Sequence, residues 1–182
     1  MKLKALLAAL AVSAVLPAAA FADEASPSDK ANGARSCQAL KTTLGDATFK
    51  ATYGTNADKS NAFGKCVSKW TQAEHQNRHG AAAACKAEQA AADFAASHDG
   101  KSFAQVYGSG KNGANALSRC IQSKRAAESA EDKAAVTNSA RTCKAERKAD
   151  AAAFKAKYGT NADKSNAFGK CVSKLSAAAQ AS

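Results

Sequence analysis

The sequence predicts an all-α protein, built as a tandem repeat of three disulfide-stapled helical hairpin units joined by shared long helices. The first observation is a perfect repeat, because the seventeen residues YGTNADKSNAFGKCVSK occupy both 53–69 and 158–174. A looser copy begins at Tyr107, so the second and third copies are offset from the first by 54 and 105 residues. A period near fifty residues is typical of arrays of supersecondary units.

The second observation is the composition. Leu, Ile, Val and Phe are scarce and the chain is strongly basic, with a net charge of +11, a balance that taken alone indicates disorder. Alanine is abundant, however, and only two prolines occur. Because alanine is the best helix former and proline the strongest breaker, the composition favours helices.

The N-terminus has the pattern of a signal peptide over residues 1–22. Lys2 and Lys4 precede an apolar run at 5–16, and the small residues of Ala20-Phe21-Ala22 form a cleavage site. An uncleaved anchor is the alternative, although the run is short for a bilayer span. We therefore expect a secreted or periplasmic protein with no membrane span after cleavage.

The third observation is the cysteine pattern, with two of the six cysteines in each unit. An even count in an exported protein indicates disulfides. The repeat favours closure of each unit on itself, which gives the pairs Cys37–Cys66, Cys85–Cys120 and Cys143–Cys171. A bridge between units, such as Cys66–Cys85, is the alternative and would break the symmetry of the array.

These patterns divide the chain into segments. We expect three repeat units at 34–72, 73–126 and 127–175, with flexible ends at 23–33 and 176–182. Neither 61–97 nor 115–150 contains proline, and each is predicted to be a long helix that ends one unit and begins the next.

Each unit repeats the same turn signals. A Phe-x-x-x-Tyr pair predicts a short helix, and the glycine after the tyrosine predicts a left-handed helix end. A polar loop follows, and then an asparagine in an N-cap position, at Asn61, Asn115 and Asn166.

In each unit the first cysteine lies many more residues from the loop than the second cysteine does. A plain two-helix hairpin would therefore place the two cysteines at different levels along its axis, too far apart to bond. The chain must therefore turn before the Phe-x-x-x-Tyr pair. An aspartate lies there in every unit, at Asp46, Asp99 and Asp150, and is predicted to cap the short helix. The expected order is long helix, short helix, loop, long helix.

The helix after each loop has an apolar stripe. Phe63, Cys66, Val67 and Trp70 recur at helical spacing, which is typical of a half-buried helix. Trp70 could serve as a platform for a ligand, but its place in the stripe favours the core.

The motif Tyr-Gly-Thr-Asn, followed by Asn-Ala-Phe-Gly-Lys-Cys-Val-Ser, resembles repeats of secreted bacterial, chiefly actinobacterial, Cys-repeat proteins. The likeness covers most of units one and three. Unit two departs from it, since Leu117-Ser118-Arg119 replaces Phe-Gly-Lys. The resemblance implies an exported helical protein with paired cysteines, and it brings no activity, ligand or catalytic residue.

Two metal hypotheses arise from the sequence. The loop at 56–60 alternates oxygen side chains as a calcium loop does, but Asn61 and Val67 stand where such a loop needs Gly and Glu. His75 and His79 are four residues apart on a predicted helix and could hold Zn or Cu. A solvated helix face is the simpler interpretation of the pair, and metal handling is the alternative function.

The sequence favours a protein that is not an enzyme. The cysteines are paired off, and no nucleophile elbow, phosphate loop or dinucleotide motif occurs in the chain. We expect no cofactor.

Charge is the one global feature with functional content. Nine lysines surround the first and third loops: Lys50, Lys59, Lys65, Lys69, Lys155, Lys157, Lys164, Lys170 and Lys174. Such clusters attract polyanions such as anionic envelope polymers, although lysines also simply keep alanine-rich helices soluble. Because the aromatic residues look buried, sequence-specific nucleic-acid recognition is not expected. The sequence thus predicts a binding or structural repeat protein, of undetermined oligomeric state.

Overall fold

A computed structural model describes residues 24–110 and 112–181 of the chain, so the predicted signal peptide lies outside the described residues. Within those ranges the chain forms eight helices and no strand, which confirms the all-α class. The helices are α1 (Pro27–Leu44), α2 (Asp46–Tyr53), α3 (Ala62–Ala90), α4 (Phe94–Ser97), α5 (Phe103–Tyr107), α6 (Ala116–Ala149), α7 (Ala151–Tyr158) and α8 (Ala167–Gln180).

The four long helices pack as successive antiparallel neighbours. Cys37 of α1 is bonded to Cys66 at the start of α3, whereas Asp29 of α1 reaches Arg78 further along α3. The α3–α6 and α6–α8 pairs run antiparallel in the same way, as the paired positions along each show, and both pack extensively. One end of the molecule therefore gathers the end of α1, the start of α3, the end of α6 and the start of α8.

The apolar interior is divided between two clusters. The larger one joins units one and three, and it includes Phe49, Trp70, Val136, Phe154 and Val172. The smaller one belongs to unit two alone and is built around Phe94, Phe103 and the Cys85–Cys120 bridge. The first and third units thus share a core, while the second lies apart at the far end of α3 and α6.

Three disulfides close the units individually: Cys37–Cys66, Cys85–Cys120 and Cys143–Cys171. All six cysteines are fully buried. Helix α3 carries Cys66 of unit one and Cys85 of unit two, and α6 likewise carries Cys120 and Cys143. Three bridges indicate an oxidising environment. None of the helices in the described part of the chain is long and apolar enough to cross a membrane.

Both ends of the described chain are more ordered than their composition predicts. Residues 27–33 of the expected flexible segment 23–33 are helical, since Ser26 and Asp29 form a capping box and Asp29 is wholly buried. Residues 176–180 of the expected flexible segment 176–182 continue α8, in which Ser176 is buried. The capping box is a local signal that composition does not reveal, whereas the burial of Asp29 and Ser176 depends on tertiary contacts.

The long helix predicted over 61–97 stops early, whereas the one predicted over 115–150 forms as α6. Helix α3 ends at Ala90, and the chain turns before the single-turn helix α4. The break lets Phe94 pack on Phe103 of the same unit, with ring centroids 5.5 Å apart. Burial of two aromatic rings outweighs the helix propensity of the alanines here.

The short helices begin in three different ways. Asp150 caps α7 as predicted, because its carboxylate accepts from the backbone N–H groups of Ala152 and Ala153. In unit one Asp46 lies inside α2, and Gly45 takes the cap position at a φ of 76°. In unit two Ser102, rather than Asp99, forms the cap.

The glycine after each tyrosine is not left-handed, and this prediction was wrong. Gly54 ends α2 at a φ of −70°. It is needed for space, since a β-carbon there would lie 2.6 Å from the Cβ atom of Lys59. The left-handed residue is Lys59 itself, at a φ of 59°.

Units one and three meet where the start of α8 packs on the end of α2. A β-carbon at Gly169 would lie 2.8 Å from the carbonyl oxygen of Thr52. At Gly64, the same residue of the repeat in unit one, a β-carbon would have no neighbour within 4 Å. Gly64 and Gly169, which occupy the same position of the repeat, thus have different surroundings.

The two glycines should respond oppositely to the same change. We expect Gly64→Ala to raise the free energy of unfolding by about 0.5 kcal/mol, because alanine is the better helix former. Gly169→Ala should lower it by about 1 to 3 kcal/mol, because the new methyl group overpacks against the backbone of α2. Urea denaturation of both variants checks this, and a change of the same sign in both would contradict the packing.

Candidate functional site

The loop that follows each short helix is closed by one asparagine. In unit one the Asn61 side chain accepts from the backbone N–H of Thr55 at 3.0 Å and donates to its hydroxyl at 2.8 Å. Asn115 and Ser109 repeat this arrangement in unit two, as do Asn166 and Thr160 in unit three. The asparagine holds the cap position, but its side chain bonds across the loop instead of capping the helix.

The first and third loops form one cleft of about 390 Å³ at the unit one–unit three contact. Unit one contributes Ala51, Thr52, Gly54, Thr55 and Lys59, and unit three contributes Asn161, Ser165, Asn166, Gly169, Lys170 and Ser173. Lys59 is half-buried and Lys170 is exposed. Two lysines that are 111 positions apart in the chain therefore line the same cleft.

A second, smaller cavity lies beside the cleft and shares Thr52 and Ser173 with it. Lys65 and Lys69, both exposed, line this second cavity. Four of the nine predicted lysines, namely Lys59, Lys65, Lys69 and Lys170, thus flank one junction. We call these four residues the lysine junction.

The other predicted lysines are placed differently. Lys50 pairs with Asp46 at 2.9 Å, and this hydrogen bond raises the pKa of the Lys50 ammonium group. Lys157 pairs with Glu146, and the Lys164 ammonium donates to the carbonyl oxygen of Gly159 at 3.0 Å. Lys155 lies exposed on α7 and Lys174 exposed on α8, and neither lines the cleft.

An acidic residue lies near the junction. The pKa of Asp163 is lowered, first because the backbone N–H of Ser165 donates to its carboxylate, and also because Lys59 is nearby. Lys59 belongs to unit one and Asp163 to unit three, so an electrostatic attraction crosses the contact between the units.

A cluster that the sequence did not reveal lies midway along α3 and α6, between the two apolar cores. Glu74 is buried and accepts from Ser36 at 3.3 Å and from Ser129 at 2.7 Å. Arg125 donates to Glu74 at 3.1 Å and to Asp29 at 2.9 Å. One guanidinium therefore ties α1, α3 and α6 together.

The carboxylate of Asp29 has no solvent exposure and is surrounded by donors. Burial raises the pKa of Asp29, but the hydrogen bonds from Ser26 and the charges of Arg78 and Arg125 outweigh it and hold the pKa below its usual value. Asp29 is thus ionised in the folded protein near neutral pH. Every buried polar side-chain atom of the described residues has a hydrogen-bond partner.

A groove of about 450 Å³ between α1 and α6 opens above this cluster, with Arg35 and Lys133 on its walls and Glu74 on its floor. The carboxylates of the cluster are engaged by arginine and serine donors. The arrangement fixes the relative positions of three helices.

The histidine pair belongs to the edge of this cluster. The rings of His75 and His79 lie 4.6 Å apart, and Nδ1 of His75 is 3.6 Å from Asp29 and 3.2 Å from Arg78. Among residues 24–110 and 112–181 no group of three or more His, Cys, Asp or Glu could hold a metal ion.

The aromatic side chains lie mainly in the interior. Trp70 is 3% exposed and its indole N–H donates to the hydroxyl of Tyr53 at 3.1 Å, as expected for a core residue. Among the described residues Phe63 is exposed, at 39%, whereas its repeat counterpart Phe168 lies under the guanidinium of Arg147.

No family model, no curated protein and no solved structure matches this chain.

Proposed function

We propose that the protein is an exported, non-enzymatic binding module that holds anionic polymers of the cell envelope, or similar polyanions, at the lysine junction. The observation that carries this proposal is the convergence of lysines from two copies of the repeat, 105 residues apart in the chain, on one pair of adjoining cavities. The N-terminal pattern and the three disulfides support export to an oxidising compartment.

The proposed mode of binding is electrostatic. A polyanion that contacts lysines releases its condensed counterions, so affinity falls as salt rises. The loop that carries Lys59 is cross-linked, because Asn61 accepts from the backbone N–H of Thr55 and Asn56 donates to the hydroxyl of Ser60. This segment is therefore held in place before binding. Because Trp70, Tyr53 and Phe49 are buried, they cannot stack on bases, which favours recognition of charge rather than sequence.

Neutralising the cleft should flatten the salt dependence of binding. We expect Lys59→Gln combined with Lys170→Gln to make the slope of log affinity against log salt shallower by about 1.8 for duplex DNA, which is about 0.9 per lost contact. Fluorescence anisotropy with a labelled DNA duplex and with a polyphosphate, over a series of salt concentrations, measures the slope.

A matched variant controls for net charge. Lys86 and Lys101 are exposed and lie in unit two, away from the junction. Lys86→Gln combined with Lys101→Gln removes the same charge and should leave the slope nearly unchanged. Equal slopes for the two double variants would refute a site at the junction, and no binding by the parent protein would refute the function.

A further inference from the structure

The in-chain contact between units one and three uses a different surface from each unit. Unit one presents the end of α2 and Lys59, while unit three presents Asn161, Ser165 and the start of α8 with Gly169. A contact between two like units that uses different patches is heterologous, and it leaves a second copy of each patch unused.

The unused patches follow from the repeat offset of 105 residues. The glycine face is the unit one copy of the patch that unit three uses, and it comprises Asn56, Ser60, Asn61, Gly64, Lys65 and Ser68. The α7 face is the unit three copy of the patch that unit one uses, and it comprises Ala156, Lys157, Gly159, Thr160 and Lys164. All residues of the glycine face match their partners in unit three, and the α7 face differs only at Lys157, which replaces Thr52.

Both faces are open. Gly64 is exposed and a β-carbon there would meet nothing within 4 Å, whereas its counterpart Gly169 lies against the carbonyl oxygens of Thr52 and Ala51. Ala156 and Lys157 of the α7 face are exposed, whereas their counterparts Ala51 and Thr52 are half-buried. The contact at Gly169 thus shows which structure fits a surface of this kind: the last turn of α2. The repeat copy of that turn is the last turn of α7.

Charge complementarity points to the same occupant. Across the in-chain contact Lys59 attracts Asp163. The repeat places Asp58 beside the glycine face and Lys164 on the α7 face, so the same attraction is available between two copies of the chain. The one departure, Lys157, is paired with Glu146, which offsets its charge.

We infer that the glycine face of one molecule docks on the α7 face of another, so that copies of this chain associate head to tail. The contact repeats between chains the packing that α8 makes on α2 within a chain. Because each molecule then keeps one unused face of each kind, association continues into a filament, or into a ring if the rotation between copies closes.

The oligomeric state of the full oxidised protein tests this inference in the absence of any polyanion. Sedimentation velocity over a range of protein concentrations should show an average mass that rises with concentration. Gly64→Gln, which fills the glycine face, should abolish the rise. The matched change Gly80→Gln lies on the same helix at another open glycine and should retain it.

A charge exchange identifies the two faces. Asp58→Lys and Lys164→Asp should each abolish the rise in mass, because each variant sets like charges against each other. An equimolar mixture of the two variants restores opposite charges at every contact and should restore the rise. Neither residue lines the in-chain cleft, so the melting midpoints should stay near that of the parent.

Two outcomes would overturn the inference. One is a parent protein that stays monomeric at all soluble concentrations, and the other is an association that survives Gly64→Gln or is not restored in the mixture. Because the assay contains no polyanion, a negative result would not contradict the proposed function of the lysine junction, which the salt dependence of binding tests separately.

Discussion

Arg125→Met should lower the free energy of unfolding by about 3 kcal/mol, a large fraction of the stability of an ordinary domain. The guanidinium of Arg125 bonds to two buried carboxylates, those of Asp29 and Glu74. Its removal leaves Asp29 with the charge of Arg78 and leaves Glu74 with two serine hydroxyls. A buried charge that loses its partner is strongly destabilising, whereas the methionine preserves most of the packing.

Urea denaturation measures the loss, and Arg119→Met is its matched control. Arg119 lies on the same helix but is exposed, so its replacement should change the free energy of unfolding by less than about 0.5 kcal/mol. Similar effects of the two substitutions would show that the ion pairs do not hold α1 against α3 and α6.

The pH dependence of stability gives a second measure of the same cluster. The pKa of Asp29 is lower in the folded protein than its ordinary value of 3.8. Its contribution to stability is therefore present above about pH 4, and it is lost as the pH falls through the lowered folded-state pKa. In Arg125→Met the free energy of unfolding should fall less steeply with acid pH, because one of the charges that lower the pKa of Asp29 is gone.

Removal of the Cys85–Cys120 bridge, as Cys85→Ala with Cys120→Ala, should lower stability by about 3 to 4 kcal/mol in the chain-entropy description. The loss should be concentrated in unit two. This unit has only a small apolar cluster around Phe94 and Phe103, separate from the core shared by the other two units. Without its bridge, unit two should open locally while the bundle of α1, α3, α6 and α8 stays folded.

Hydrogen exchange monitored by mass spectrometry distinguishes local from global opening. We expect faster exchange at α4, α5 and the adjoining ends of α3 and α6, with the rest of the chain little changed. The matched variant Cys37→Ala with Cys66→Ala opens a loop of similar length inside the shared core. It should speed exchange throughout units one and three. The same exchange pattern in both variants would contradict two separate cores.

The helices and their bridges could be predicted because their causes are local or repeated. Alanine content, the stripe that ends in Trp70 and the cap at Asp150 each act within a few residues. The repeat, which is a property of the sequence alone, selects one cysteine pairing from fifteen. Errors arose where a distant contact decided the conformation, as at Phe94, where two rings from one unit end the helix early.

The lysines of the candidate site could also be predicted, but their meeting in one place could not. The lysines were identifiable as a group, but their loops are 105 residues apart, and nothing in either loop indicates that the two meet. Lys50 and Lys157, by contrast, proved to be engaged by the carboxylates of Asp46 and Glu146. The Lys50–Asp46 pair lies within α2 at a spacing of four residues, whereas the Lys157–Glu146 pair forms only because α7 adjoins α6.

The sequence by itself determined the building block: an all-helical, cysteine-stapled unit used three times. Only the tertiary structure decided that units one and three share a core, that Asp29, Glu74 and Arg125 form one ionic cluster, and that Gly169 is covered while Gly64 is open. The reason is physical. Helix formation and loop closure depend on neighbours along the chain, whereas burial depends on residues far away in it, such as the 96 positions that separate Asp29 from Arg125. Two copies of the same seventeen letters therefore form the same helices and meet different surroundings.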